Sequence, residues 1–301
     1  MNVFEEEGIV AYIKKRNIVK HYLKANQYME LGFYDLVDLR KRKPKSAKNT
    51  NIRFKHAKNT ILILISFFLL VSCKSKVKRE VVINENILSY VINPKTQNLK
   101  FYWKDKNDNN FKSFKNLQLN LQKENKELIF ATNGGMFKKD FSPQGLYIEN
   151  GKILNKLDTI KNGYGNFYMQ PNGIFYITDK NKPVICTSKD FLQNVFTENN
   201  QIKYATQSGP LLLIDGKIHS KFNKGSKNIN IRNGVSVLPN GNLLFAMSKE
   251  KINFYDFAMF FKNNACKSAL YLDGFVSKTY LPSKNQIQLD GNFGVIIGIE
   301  K

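Results

Sequence analysis

Histidine is nearly absent from this chain: there are three in 301 residues, and only His219 lies beyond residue 73. A histidine-based zinc site therefore has almost nothing to build on. A serine triad would have one imidazole to draw on, and no Gly-x-Ser-x-Gly elbow presents a nucleophile. Cysteine is equally sparse, limited to Cys73, Cys186 and Cys266. No disulfide framework can carry the fold; Cys186 and Cys266 either pair in an oxidising compartment or stay single and buried. Carboxylates are scarce too, with 24 Asp and Glu against 47 Lys and Arg, a formal charge of +23. The excess is not a tail: +8 falls in residues 1–72 and +15 in residues 73–301. Such a field favours anionic sugars, phosphates or a membrane surface. The lysines alternate with asparagines and form no arginine-rich stripe, so nucleic acid is not an expected partner. Long apolar runs are missing as well. The longest, Ile61 to Val71, is too short to span a bilayer comfortably.

That short run has informative flanks. Arg53, Lys55 and Lys58 precede it, and Leu70-Val-Ser-Cys73 closes it. Residues 51–73 therefore read as a lipoprotein signal peptide. Leu-Val-Ser-Cys is similar to a bacterial lipobox, in which the cysteine is acylated and becomes the mature N-terminus. Cys73 is the expected lipidation site, and two or more acyl chains anchor stably. Residues 74–80 form a basic linker beside the headgroups. No acidic cluster follows Cys73, which favours a periplasm-facing location at the cell envelope. Residues 1–50 read as an atypical extension, with a basic run Arg40-Lys-Arg-Lys-Pro-Lys45. The stretch from Tyr12 to Pro44 resembles the start of small ribonuclease toxins, over less than half of such a domain. It reads as a gene remnant or a start set too early.

Residues 81–301 read as one α+β domain: mixed, strand-rich sheets with a few inserted helices. Short apolar runs alternate with turn pairs such as Asn150-Gly151, Asn172-Gly173, Asp215-Gly216 and Asn240-Gly241. Expected strands include Leu128–Ala131, Asn166–Met169, Leu211–Ile214, Gly234–Leu238, Asn242–Met247 and Ala269–Leu272. Expected helices are Phe111–Asn125, Lys189–Phe196 and Asn253–Asn264. The last has Phe254, Phe257, Ala258 and Phe261 on one face, with Asn253 and Asp256 placed to cap it. His219 follows a hairpin and is expected to be exposed. Asp105-Lys-Asn-Asp-Asn-Asn110 reads as a solvated turn.

Four segments place polar residues where an apolar strand stops, as binding pockets do. They are Asn133-Gly-Gly-Met-Phe137 with Pro143-Gln-Gly145, Gln207-Ser-Gly-Pro210, Arg232-Asn-Gly-Val235, and Leu272-Asp-Gly-Phe-Val-Ser277. With Asn253-Phe-Tyr-Asp-Phe257, their order resembles the phosphodiester glycosidase family, from about Glu80 to Lys301. Many members carry Asp-Gly-Gly in the final turn, whereas here Phe275 follows Asp273-Gly274.

The resemblance implies hydrolysis of a sugar-1-phosphodiester or related glycosidic linkage. The phosphate of such a diester leaves readily, so the paired carboxylates of ordinary glycosidases need not both be present. Asp273 is then the candidate base or charge stabiliser. Arg232 is the candidate bidentate phosphate partner, and Asn133 completes the catalytic set. Gly134, Gly135 and Gly209 offer backbone donors, while Ser208, Gly274 and Ser277 complete the substrate-binding set. No metal or cofactor is required, though a divalent ion on carboxylates near Asp273 stays open. The partners implied are a glycan or sugar-phosphodiester substrate and, through the lipid, a membrane. Two alternatives compete: a non-catalytic glycan- or phosphate-binding lipoprotein, and a serine hydrolase using Ser208.

Overall fold

The computed structural model describes residues 81–195 and 201–301. The extension, the lipobox with Cys73 and the basic linker lie outside these residues, as does Phe196. Three antiparallel sheets make up the domain. The first has six strands and contains Ile87–Ile92, Leu211–Ile214, Asn233–Val237, Leu243–Ser248 and Ala269–Tyr271. The second has five and contains Leu99–Tyr102, Leu128–Asn133, Thr279–Leu281 and Ile296–Glu300. The third also has five and contains Tyr147–Glu149, Gly173–Thr178, Pro183–Thr187 and Ile202–Ser208.

Period-two alternation decides how the sheets pack. Leu243, Phe245 and Met247 of one strand enter a shared core, where they join Phe101, Phe130, Phe175, Val235, Leu270 and Ile297. Their strand neighbours Leu244 and Ala246 face the other way, under the helix Phe254–Asn263. Phe130 likewise points into the shared core while Ala131 faces the helix Phe114–Lys123. Phe175 and Ile177 point inward while Ile174 and Tyr176 meet Phe191 of the helix Ser188–Val195. Each sheet thus has one face in a common core and one beneath its own helix. The strands carry apolar residues on both faces because both faces are buried. Deleting one such ring, as in Phe257→Ala, costs about 3–5 kcal/mol.

The helix ends follow local chemistry. Asn253 Oδ1 accepts the Asp256 N–H at 2.9 Å, and Asn253 Nδ2 donates back to Asp256 Oδ2 at 2.7 Å. That capping pair is worth about 1 kcal/mol. The expected helix over 111–125 is shorter at both ends. Lys112 at φ 60° and the Ser113 cap exclude Phe111, and Asn125 at φ 57° ends the run. Asn150-Gly151 and Asp215-Gly216 have the paired positive φ angles of tight hairpins. Asn166–Tyr168 is a short 3₁₀ turn rather than a strand. It follows Gly165 at φ 95°, a conformation that no extended run continues through. Asn172-Gly173 is not a hairpin, since Gly173 opens a strand. Asp105 Oδ1 accepts the N–H groups of Asn107 and Asn109, making the expected turn. Cys186 and Cys266 are free thiols. Among the described residues no helix is long and apolar enough to cross a membrane.

Candidate functional site

All three sheets send a strand end to one corner. The second contributes Asn133, the first Asn233 and the turn after Tyr271, and the third Ser208. Asn133 and Asn233 are both 1% exposed. Asn233 Nδ2 donates to the Asn133 carbonyl and to Asn133 Oδ1, each at 3.0 Å. Asn233 Oδ1 accepts the Asp273 N–H at 3.0 Å. A backbone N–H can only donate, so this contact fixes which way the Asn233 amide faces. Asn133 Nδ2 donates to the Asp273 carbonyl at 3.1 Å, and Asn133 Oδ1 accepts the Lys278 N–H at 3.0 Å. Ser277 Oγ donates to the same Asp273 carbonyl at 2.8 Å. Ser208 Oγ donates to the neighbouring Leu272 carbonyl at 2.5 Å. Four side chains thus hold the backbone on either side of one carboxylate.

That carboxylate is left comparatively bare. Asp273 is half-buried, and its Oδ1 accepts the Phe275 N–H at 3.1 Å. No cation offsets its charge among the described residues. Burial pushes its pKa up to about 6, against a partial lowering by the Phe275 N–H. A carboxyl titrating there can take or give a proton near neutrality. Perturbed carboxyls of this kind mark functional sites more often than chance.

Arg232 does not reach this carboxylate. It precedes Asn233 in the chain, and its side chain is fully enclosed on the other side. Nε donates to the Ile252 carbonyl at 2.8 Å, and Nη2 donates to the Asn228 carbonyl at 2.9 Å. Its guanidinium carbon sits 3.5 Å over the Phe254 ring. The expected bidentate phosphate contact is therefore corrected: those donors are committed to protein oxygens beneath an aromatic lid. Nη1 reaches the Tyr271 hydroxyl at a long 3.4 Å. The same hydroxyl lies directly against Gly274. Tyr271 thereby links Arg232 to the Asp273-Gly274 turn. A Cβ on Gly274 would lie 1.6 Å from that hydroxyl, so only glycine fits.

His219 is buried, at 2% exposure, rather than exposed. Nε2 donates to the Gln170 carbonyl at 3.0 Å, and Nδ1 accepts the Lys221 N–H at 3.1 Å. Those two partners select the neutral tautomer, and burial lowers its pKa. Its ring stacks on Phe222 at 4.8 Å, and Phe222 stacks on Phe254 at 4.7 Å. The result is a column from His219 through two phenylalanines to Arg232. With His219 and Ser208 each engaged elsewhere, no base attends Ser208, and the serine-nucleophile alternative loses its geometry.

The glycines shape the corner. Gly134 N–H donates to the Val295 carbonyl at 2.8 Å, so it is not a free anion donor as expected. A Cβ on Gly135 would lie 2.6 Å from the Gln207 carbonyl, and one on Gly209 would lie 2.7 Å from the Phe167 carbonyl. Both glycines allow close approach between segments. Two open concavities, about 150 Å³ beside Pro94–Leu99 and about 510 Å³ beside Leu128 and Lys301, lie away from the corner. Among the described residues no group of His, Cys, Asp and Glu is arranged to hold a metal.

The sequence reading missed Asn233 and Tyr271. Asn233 lies inside the Arg-Asn-Gly-Val segment, beside the more conspicuous charge of Arg232. Strand alternation was the available signal, since adjacent side chains point to opposite faces.

Residues 126–295 match the family model for phosphodiester glycosidase, a span that contains every residue of the corner. The chain belongs to the phosphodiester glycosidase family. It is therefore allied to glycosidase-type hydrolases. It is 32% identical over 196 residues to the uncharacterized protein YigE of Escherichia coli K12, covering 65% of this chain and 74% of YigE. Among solved structures, it is similar to the catalytic domain of zebrafish N-acetylglucosamine-1-phosphodiester alpha-N-acetylglucosaminidase. That match has 16% identity and a TM-score of 0.49, covering 75% of this chain and 85% of that one. A Synechocystis protein matches at 14% identity and a TM-score of 0.41, over 74% of this chain and 61% of its own.

Proposed function

We propose that this phosphodiester glycosidase relative hydrolyses a sugar-1-phosphodiester, with Asp273 as its reacting carboxylate. The supporting observation is the bare carboxylate itself, with a pKa pushed to about 6 on a backbone held by Asn133, Asn233, Ser208 and Ser277. In the reaction, ionised Asp273 takes a proton from a water that attacks the anomeric carbon. The bond from that carbon to the phosphate oxygen breaks, and its electron pair leaves with the phosphomonoester. The departing phosphate oxygen is weakly basic, so little acid assistance is required. Asn133 and Asn233 act as positioning residues, because their donors and acceptors are spent on the Asp273 backbone. Arg232 acts through Tyr271 and Gly274.

The test is Asp273→Asn assayed on N-acetylglucosamine 1-(methyl phosphate) with detection of free sugar. General base catalysis is worth about 10²–10⁴-fold, so turnover should fall by that amount. Wild-type kcat should rise with pH through about 6 as Asp273 ionises. Near wild-type turnover by the variant would remove Asp273 from the mechanism. Ligand-induced stabilisation with no sugar release by the wild type would instead favour the binding-protein reading.

The lipobox-like Leu70-Val-Ser-Cys73 supports placement of the protein at the cell envelope on a lipid anchor. Labelling with an alkynyl fatty acid, lost in Cys73→Ser together with membrane association, tests that placement.

A further inference from the structure

The chain contains 23 phenylalanines. Among the described residues, Phe275 is the one whose side chain stands in the open, at 96% exposure. Its position makes that exposure informative. Phe275 lies two residues after Asp273, and the Asp273 carboxylate accepts its backbone N–H at 3.1 Å. Gly274, between them, is held against the Tyr271 hydroxyl. On the far side Val276 packs against the cluster around Phe114, and Ser277 Oγ closes the turn on the Asp273 carbonyl at 2.8 Å. The ring therefore rides at the tip of a five-residue turn that is pinned at its base, and it cannot drift from the carboxylate.

A phenyl ring left in water forgoes about 25 cal/mol for each Å² of apolar surface that a partner would cover. Aromatic faces carry negative quadrupole density. A pyranose offers the complement, a face of slightly positive C–H bonds. A phosphate offers none. We propose that Phe275 is a stacking platform for the sugar ring of the substrate and so helps set which sugar is held at Asp273. The proposal rests on the sugar-phosphodiester reading above and adds the residue that grips the sugar.

The experiment uses the full chain carrying Phe275→Ala, Phe275→Tyr or Phe275→Trp. The substrates are the 1-(methyl phosphates) of N-acetylglucosamine, glucose, galactose and mannose. On the sugar that is turned over best, Phe275→Ala should raise KM about tenfold, equivalent to ~1.4 kcal/mol, within the reach of aromatic contacts. Its kcat should stay within about twofold, the signature of lost uniform binding. Phe275→Tyr should restore KM. The melting temperature should not move, because the side chain is exposed. In Phe275→Trp, indole emission above the wild-type background should shift on titration with the matching free sugar. An unchanged KM in Phe275→Ala overturns the platform, and so does silent emission with all four sugars. Absence of turnover in the wild type would defeat the hydrolase reading instead, and the emission titration would still decide the platform.

Discussion

Arg232 and Asn233 are adjacent in sequence, yet they serve two different regions. Arg232 belongs to a column of stacked rings, buried and supplied with protein acceptors. Asn233 belongs to the corner where three sheets end, and its amide holds the backbone of Asp273. The column concentrates satisfied polar groups around a cation. The corner spends its polar groups on the main chain and leaves one carboxylate with little to offset its charge. Charge alone therefore does not distinguish the two regions; how fully that charge is compensated does. The contrast also separates two kinds of support. The column stabilises the fold behind the turn, while the corner sets the geometry of the turn itself.

Mutations can sharpen or break that contrast. The largest effect on the column is expected from Arg232→Met. It removes the cation and takes one donor each from the Ile252 and Asn228 carbonyls, at about 1.5–3 kcal/mol for each hydrogen bond to the charged group. Thermal unfolding should show a large loss of stability, with KM nearly unchanged in the fraction that remains folded. A KM rise at wild-type stability would return Arg232 to the substrate and break the comparison. Asn233→Ala should do the reverse. Losing the acceptor for the Asp273 N–H should lower kcat by about tenfold or more, because small misplacements of catalytic groups are costly. Its stability cost should stay near 1–3 kcal/mol for the unpaired N–H. Equal kcat in that variant would show that the turn holds without the corner.

The smallest effect is expected from His219→Gln. Burial holds the folded pKa of His219 below the ordinary value of 6.5. The unfolded chain then binds the proton more readily, so wild-type stability is full above about 6.5 and declines as pH falls below it. His219→Gln should flatten that acid limb in urea titrations at several pH values and leave the kcat profile alone. A changed kcat profile would tie the far end of the column to the chemistry.

Much of the fold was legible where local chemistry decides it. Leu211–Ile214 is the expected strand, Asn253 caps the expected helix, and the Asn150-Gly151 and Asp215-Gly216 hairpins follow from positive φ. Ile202–Ser208 was not legible. Lys203, Thr206, Gln207 and Ser208 interrupt its apolar pattern, and the partners of Gln207 and Ser208 come from other sheets and loops. Gln207 Oε1, for example, accepts the Leu146 and Asp158 N–H groups at 2.9 Å each. The burial of His219 was not legible for a related reason, since its Gln170 partner lies 49 residues away. At the site, Asn133, Asp273, Ser208 and Ser277 were found from strand ends and do come together. Arg232 was assigned the wrong surroundings, because burial of a cation depends on distant rings.

The corner is made largely of long reaches. Asn133 and Asn233 lie 100 residues apart, Asn133 and Asp273 lie 140 apart, and Ser208 lies 64 from Leu272. A growing chain therefore carries Asn133 for 100 residues before Asn233 arrives to meet it. Asp273 gains its setting only when the last third of the domain arrives and all three sheets close. A fragment that stops before Asp273 lacks the site, so sugar release would report a chain grown past it.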